Sequence, residues 1–133
     1  MPPNASVVHR DPVPVLYVRA DGGPAGAPAA FARLEATLGG PKGRRFLGWF
    51  RDGEYRACVV RRDGEPAGPL AEDTVPGGAY ARARHDGPAH RIHETFGALL
   101  AAHVPDRTRP SLEDYRRHDE VWALLPVVAD RAR

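Results

Sequence analysis

The chain has 133 residues, enough for one domain with its own core, and 42% of them are hydrophobic, an ordinary share for a globular chain. Its net charge is only +2, with arginines interleaved among acids rather than gathered in a block, so no direct nucleic acid partner is expected. A single cysteine excludes an internal disulfide and a thiolate metal cluster, and no run approaches the roughly 20 apolar residues of a membrane-spanning helix.

Residues 1–12 are polar and punctuated by proline, and read as a flexible leader. They hold neither a basic n-region nor an apolar h-region, so no signal peptide is expected and cytoplasmic residence is the default. Val13 to Ala20 is β-branched and aromatic, which predicts a strand broken by Asp21-Gly22-Gly23-Pro24. Pro28 suits the first turn of a helix that carries Phe31, Leu34 and Leu38 at helical spacing and stops at Gly39-Gly40-Pro41. Arg44 to Phe50 and Tyr55 to Arg62 predict a hairpin around the Asp52-Gly53 turn. Cys58 lies in the apolar part of its second strand and reads as a buried structural thiol. Residues 63–76, rich in Asp, Glu, Pro and Gly, form a connector. Gly78 to His85 is the next strand, and Ala89 to Ala102 the next helix, with Ile92, Phe96, Leu99 and Leu100 on one face. Arg109 to Tyr115 and Val121 to Val128 complete the pattern as two further strands.

The order β-α-β-β thus occurs twice. Tyr17 and Tyr80 are offset by 63 residues, Pro24 and Pro88 by 64, and Phe31 and Phe96 by 65, a narrow spread that points to a duplicated unit with small indels. The fold class expected is α+β: a duplicated β-α-β-β unit, with a six-stranded antiparallel sheet, two helices on one face and a central ligand cleft. One domain then covers residues 13–128, with pseudo-repeats at 13–62 and 76–128.

Alternation along Arg109-Pro110-Ser111-Leu112-Glu113-Asp114-Tyr115 puts Ser111, Glu113 and Tyr115 on one face and Leu112 on the other. If Leu112 faces the helices, Glu113 sits on the opposite, uncovered face. There it fits recognition of a cationic or hydrogen-bonding ligand, or general-base work. It equally fits a solvated glutamate, or an ion pair with one of the many arginines. Trp49, Tyr55, Tyr80, Tyr115 and Trp122 all fall in expected strands. Two helices leave little to bury five such rings on the second face, where exposed rings mark a binding groove or an interface between copies. His90 and His93 lie about a turn apart, with His85 nearby. No third or fourth ligand is placed around them, so they read as solvent-facing and no metal is expected. The glycine pairs lack phosphate-loop or dinucleotide spacing, and no cofactor is expected.

Val75-Pro76-Gly77-Gly78-Ala79-Tyr80-Ala81, Gly87, Arg109 to Tyr115, and Leu124-Leu125-Pro126-Val127 together resemble the GyrI-like small-molecule-binding domain, which is also the effector-binding domain of many multidrug-sensing transcription activators. The resemblance runs from about Val13 to Val128. It implies a duplicated β-α-β-β fold and places Glu113, by the family's Pro-x-x-Glu-x-Tyr stretch, at the floor of an aromatic cleft. The chain lacks a helix-turn-helix segment, so a complete transcription regulator is not expected. The function implied is binding of a hydrophobic or aromatic, neutral or cationic small molecule by a monomer or homodimer, without a membrane partner. Glu113, Trp49, Tyr55, Tyr80, Tyr115 and Trp122 would form the site. Some single-domain members instead hydrolyse cyclopropane-containing DNA-alkylating natural products; Glu113 would then activate water and Tyr115 assist. A role in modulating DNA gyrase is the third reading that the family name implies.

Overall fold

The computed structural model describes residues 5–117 and 119–132. Its elements run β1 (Ser6–Arg10), β2 (Val13–Arg19), α1 (Ala27–Leu38), β3 (Phe46–Arg51), β4 (Glu54–Val60), β5 (Ala71–Val75), β6 (Gly78–Arg84), α2 (Ile92–Ala102), β7 (His103–Pro105), β8 (Ser111–Arg117) and β9 (Glu120–Ala132). Eight strands pair in the order β1-β6-β9-β8-β3-β4-β2-β5, all antiparallel, and β7 pairs with β9. The α+β class is as expected, but among the described residues the sheet has nine strands rather than six. Residues 6–10, read as part of a leader, pair with β6. The connector contains β5, which pairs with β2.

Two short links dictate the shape. Only Asp11 and Pro12 separate β1 from β2, yet these strands stand first and seventh in the pairing order. In a flat sheet, six spacings of about 4.8 Å would hold them roughly 29 Å apart. Three Cα–Cα steps of about 3.8 Å reach no more than about 11 Å. Pro76 and Gly77 join β5 to β6 under the same constraint. The sheet therefore curls into a half-barrel, and the two links meet where it closes. A Cβ on Gly77 would fall 2.8 Å from the Arg10 carbonyl oxygen and from Pro12 Cδ, so a residue with no side chain is needed at that crossing.

Both helices lie on the outer face. Pro28 opens α1, and Gly39 closes it with a left-handed φ of 79°, its N–H donating to the Ala36 carbonyl. Ala30 and Leu34 of α1 pack on Leu16, Ala57 and Val59, while Leu99 of α2 packs on Ala81, Ala83, Ala123 and Leu125. The start of α2 is tied to the end of β6 by buried His85. Its Nε2 donates to the Pro88 carbonyl and its Nδ1 bonds Thr95 Oγ1, both at 2.7 Å.

The inner face buries a second core of Val15, Leu47, Trp49, Cys58, Val75, Tyr80, Leu112 and Leu124. Val75 and Tyr80 come from the eighth and the second strand of the pairing order and meet in one cluster with Leu47 and Leu112, as the concave side of a curled sheet requires. This overturns the conditional placement of Leu112 toward the helices. Leu112 fills the half-barrel, and Glu113 points to the helix side. No helix among the described residues is long and apolar enough to cross a membrane.

Candidate functional site

The helices stand apart over the middle of the sheet and leave a cleft of about 960 Å³. Phe31 of α1 lines one wall, and Ile92, Phe96 and Leu100 of α2 line the other. The floor is the seam between β3 and β8. In register across it, Ala57 (β4), Gly48 (β3), Glu113 (β8), Ala123 (β9) and Ala83 (β6) form one row. Glu113 is the only long side chain in a row of glycine and alanines, so the small neighbours leave its carboxylate room on the floor.

Two tyrosines hold that carboxylate. The Tyr55 hydroxyl donates to Glu113 Oε1 at 2.5 Å, and the Tyr115 hydroxyl donates to the same oxygen at 2.8 Å. Phe31 fixes both rings by edge contacts, with centroids 6.3 Å from Tyr55 and 5.6 Å from Tyr115. Gly48 is what admits the arrangement: a Cβ there would lie 2.2 Å from the Tyr55 hydroxyl oxygen and 2.5 Å from Glu113 Oε1. Burial, then the adjacent Glu113 charge, drive both phenols well above the ordinary tyrosine value. Both therefore stay neutral donors.

No arginine or lysine among the described residues forms an ion pair with Glu113. Two arginines of the cleft lining, Arg109 and Arg51, are engaged elsewhere. Arg109 binds Asp106 at 2.9 Å and the carbonyls of Ala79 and Val127 at 3.0 and 2.9 Å, while Arg51 pairs with Asp52 at 3.4 Å. The cleft thus offers apolar walls above a floor carboxylate that is held by two hydroxyls and forms no ion pair among the described residues.

Of the six residues proposed from sequence, the structure brings Glu113, Tyr55 and Tyr115 together. Trp49, Tyr80 and Trp122 lie outside the cleft, on the inner face, and this corrects their placement as cleft walls. Trp49 stacks on the Arg56 guanidinium, 4.6 Å from the ring centroid. Tyr80 is fully buried, with its hydroxyl on the Pro76 carbonyl at 2.5 Å. Trp122 carries Arg82 at 4.9 Å over its ring and donates its indole N–H to Glu120. The physical reason is the curl. A sheet that closes on itself buries its second face without helices, so rings on that face are core rather than groove.

Phe31 and Phe96, assigned above to helix faces, both line the cleft, and Gly48 was missed. The 65-residue offset between the two phenylalanines was the available signal: equivalent positions on two helices that face one another. His90 and His93 are exposed at the cleft rim, and no cluster of three or more His, Cys, Asp or Glu side chains fit to hold a metal occurs among the described residues.

No protein-family model and no curated protein matches the chain. Solved structures do. The C-terminal domain of EcmrR aligns with a TM-score of 0.68 at 13% identity, covering 96% of this chain and 99% of its own. SAV2435 bound to tetraphenylphosphonium gives 0.63 at 13% identity, over 95% and 94% of the two chains. A hydrolase from Listeria innocua gives 0.58 at 12% identity, over 94% and 92%. At such identities the likeness is one of fold, and the fold is that of the GyrI-like, effector-binding-domain proteins.

Proposed function

We propose that this cleft binds a hydrophobic or aromatic small molecule, preferentially a cationic one, for drug sensing or sequestration. One observation carries the reading: a carboxylate without an ion-pair partner at the floor of an apolar cleft of about 960 Å³. That volume is within the usual range of small-molecule sites, and few polar groups among apolar walls are what such sites need. A cation entering from water regains on Glu113 part of the hydration it loses, while its apolar groups bury against Phe31 and Phe96. The structural neighbour bound to tetraphenylphosphonium, a lipophilic cation, supports the same reading. So does the shared pairing order of β2-α1-β3-β4 and β6-α2-β8-β9, which we read as two copies meeting at the seam that carries Glu113.

The test is calorimetric titration with tetraphenylphosphonium and with neutral triphenylphosphine oxide. The cation should bind more tightly. Glu113→Gln should weaken it by about 1.5–3 kcal/mol, roughly ten- to hundredfold, and leave the neutral compound unchanged. Equal loss for both compounds, or none, would end the cation reading.

A second reading has its own observation. Both tyrosine hydroxyls land on Oε1, so neither occupies Oε2 of Glu113, and that oxygen can accept a proton from water. Water would add across a strained ring such as a cyclopropane: the new C–O bond forms, the ring C–C bond breaks, and the electron pair leaves toward a conjugated carbonyl that is then protonated. One structural neighbour is a hydrolase. Mass spectrometry for a product one water heavier decides it. In that case Glu113→Gln should cut turnover by about two to four orders of magnitude while binding persists.

A further inference from the structure

The charges around the cleft do not cancel in place, and their arrangement describes a ligand in more detail than a lipophilic cation. Arg51 is matched by Asp52, and Arg109 by Asp106. Two groups are left over. Glu113 lies on the floor, and Arg107 stands exposed at the rim, where it has neither a hydrogen-bond nor an ion-pair partner among the described residues. His90 and His93 line the same rim from the start of α2, His93 near enough to the Glu94 carboxylate to act on it electrostatically.

Arg107 does not hang on a loose loop. Asp106 Oδ1 accepts the Thr108 N–H at 3.0 Å and the Thr108 hydroxyl at 2.6 Å. The Asp106 N–H donates to the Pro126 carbonyl at 2.8 Å, and the Arg109 side chain is anchored on β6 and β9. The turn is thereby braced on both sides of residue 107. His90 is held comparably, in a single 3-10 turn fastened by His85 to Pro88 and Thr95. Negative charge at depth and positive charge at a braced mouth make a bipolar site.

We infer that the preferred ligand is amphoteric: an aromatic body with a cationic group at its inner end, toward Glu113, and a carboxylate, sulfonate or phosphate at its outer end, toward Arg107 and the two imidazoles. The inference rests on the cleft being a cation site. It adds that an acidic group on the same molecule raises affinity, although such a group lowers the molecule's net positive charge.

A matched pair of dyes tests it. Rhodamine B carries a cationic xanthene and a free carboxylate, and its ethyl ester carries the cation alone. Binding is followed by fluorescence anisotropy of each dye, with tetraphenylphosphonium as a third probe. Wild type should bind the acid about two- to fivefold more tightly than the ester, the range of a partly exposed ion pair. Arg107→Gln should erase that preference by weakening the acid alone, and Glu113→Gln should weaken both dyes. Raising salt from low to high should narrow the preference in wild type and change nothing in the Arg107 variant. If the ester and tetraphenylphosphonium bind but the acid gains nothing, or Arg107→Gln weakens both dyes alike, the inference falls and the cation reading stands. If none of the three probes binds, the cation reading falls and takes the inference with it.

Discussion

The hydroxyl of Tyr55 on β4 reaches Glu113 on β8 at 2.5 Å by passing over β3, at the one residue of that strand's floor row that has no side chain. The acid, its donor and the gap between them are one unit. Altering the gap should therefore act on the acid.

Gly48→Ala puts a methyl group 2.2 Å from the Tyr55 oxygen, too close for either group to stay where it is. It should lower stability by about 1–3 kcal/mol, the usual cost of overpacking, and weaken tetraphenylphosphonium binding together with it. Gly97 of α2 supplies the control, since it also lines the cleft but a Cβ there would meet nothing within 4 Å. Gly97→Ala should leave stability unchanged or raise it by up to about 1 kcal/mol through helix propensity. Thermal melts and titrations on the two variants check both halves; equal behaviour would refute a special role for Gly48.

Removing one donor should also be measurable. Tyr55→Phe deletes a hydrogen bond to a charged acceptor and keeps the ring against Phe31. A loss of about 1.5–3 kcal/mol in urea unfolding is expected, with m unchanged. Tyr115→Phe should cost no more, because its bond to the same oxygen is longer, at 2.8 Å.

Trp49 and Trp122 face away from the cleft, so they report on the half-barrel. Trp49→Phe should leave dye affinity within about twofold of wild type, whereas Trp49→Ala should destabilise the fold by about 3–5 kcal/mol. A large loss of affinity in a normally stable Trp49→Phe protein would contradict the placement of that ring.

Acid should loosen the turn that carries Arg107. Hydrogen bonds from Thr108, then from Arg109, hold the Asp106 carboxyl down at about 2, and those from Arg44 and the Arg62 backbone hold Glu65 at about 2. Both folded values lie below the unfolded ones. Each group therefore contributes stability that is present above about pH 4 and is lost as pH falls toward 2. Melting temperatures between pH 5 and pH 2 should drop, and Asp106→Asn should flatten part of the fall. An unchanged pH profile in that variant would show the turn to be held by other means.

Burial pushes the Cys58 thiol up to about 12. At pH 8 the native protein should react with Ellman's reagent only slowly, and one equivalent should appear on adding guanidinium. Prompt reaction without denaturant would mean that the inner core is open to solvent.

What could be read in the sequence follows what is local. Helix α1 was marked at both ends by Pro28 and Gly39, the β3–β4 hairpin by Asp52-Gly53, and the alternation of β8 by Ser111, Leu112 and Glu113. Strands β1 and β5 were not legible, because Val7, Val8 and Thr74 are too few and too interrupted by charge to show a pattern until their partners are known. Which face of β8 meets the helices was not legible either. Alternation separates two faces without naming them, and the naming is done by the curl, a consequence of two distant links. The same ambiguity sent Trp49 and Tyr80 to the site and left out Gly48, whose contribution is the absence of atoms.

The bond across Gly48 joins residues 58 positions apart. During synthesis, Tyr55 emerges well before the acid it will hold, and the floor of the cleft is completed only when β8 docks on β3. Afterwards, a molecule wedged between α1 and α2 clamps that seam from above, and its binding free energy becomes resistance to unzipping. A small molecule in this cleft should therefore protect the β3 and β8 amides from hydrogen exchange more than those of the edge strand β5, making the seam a gauge of occupancy.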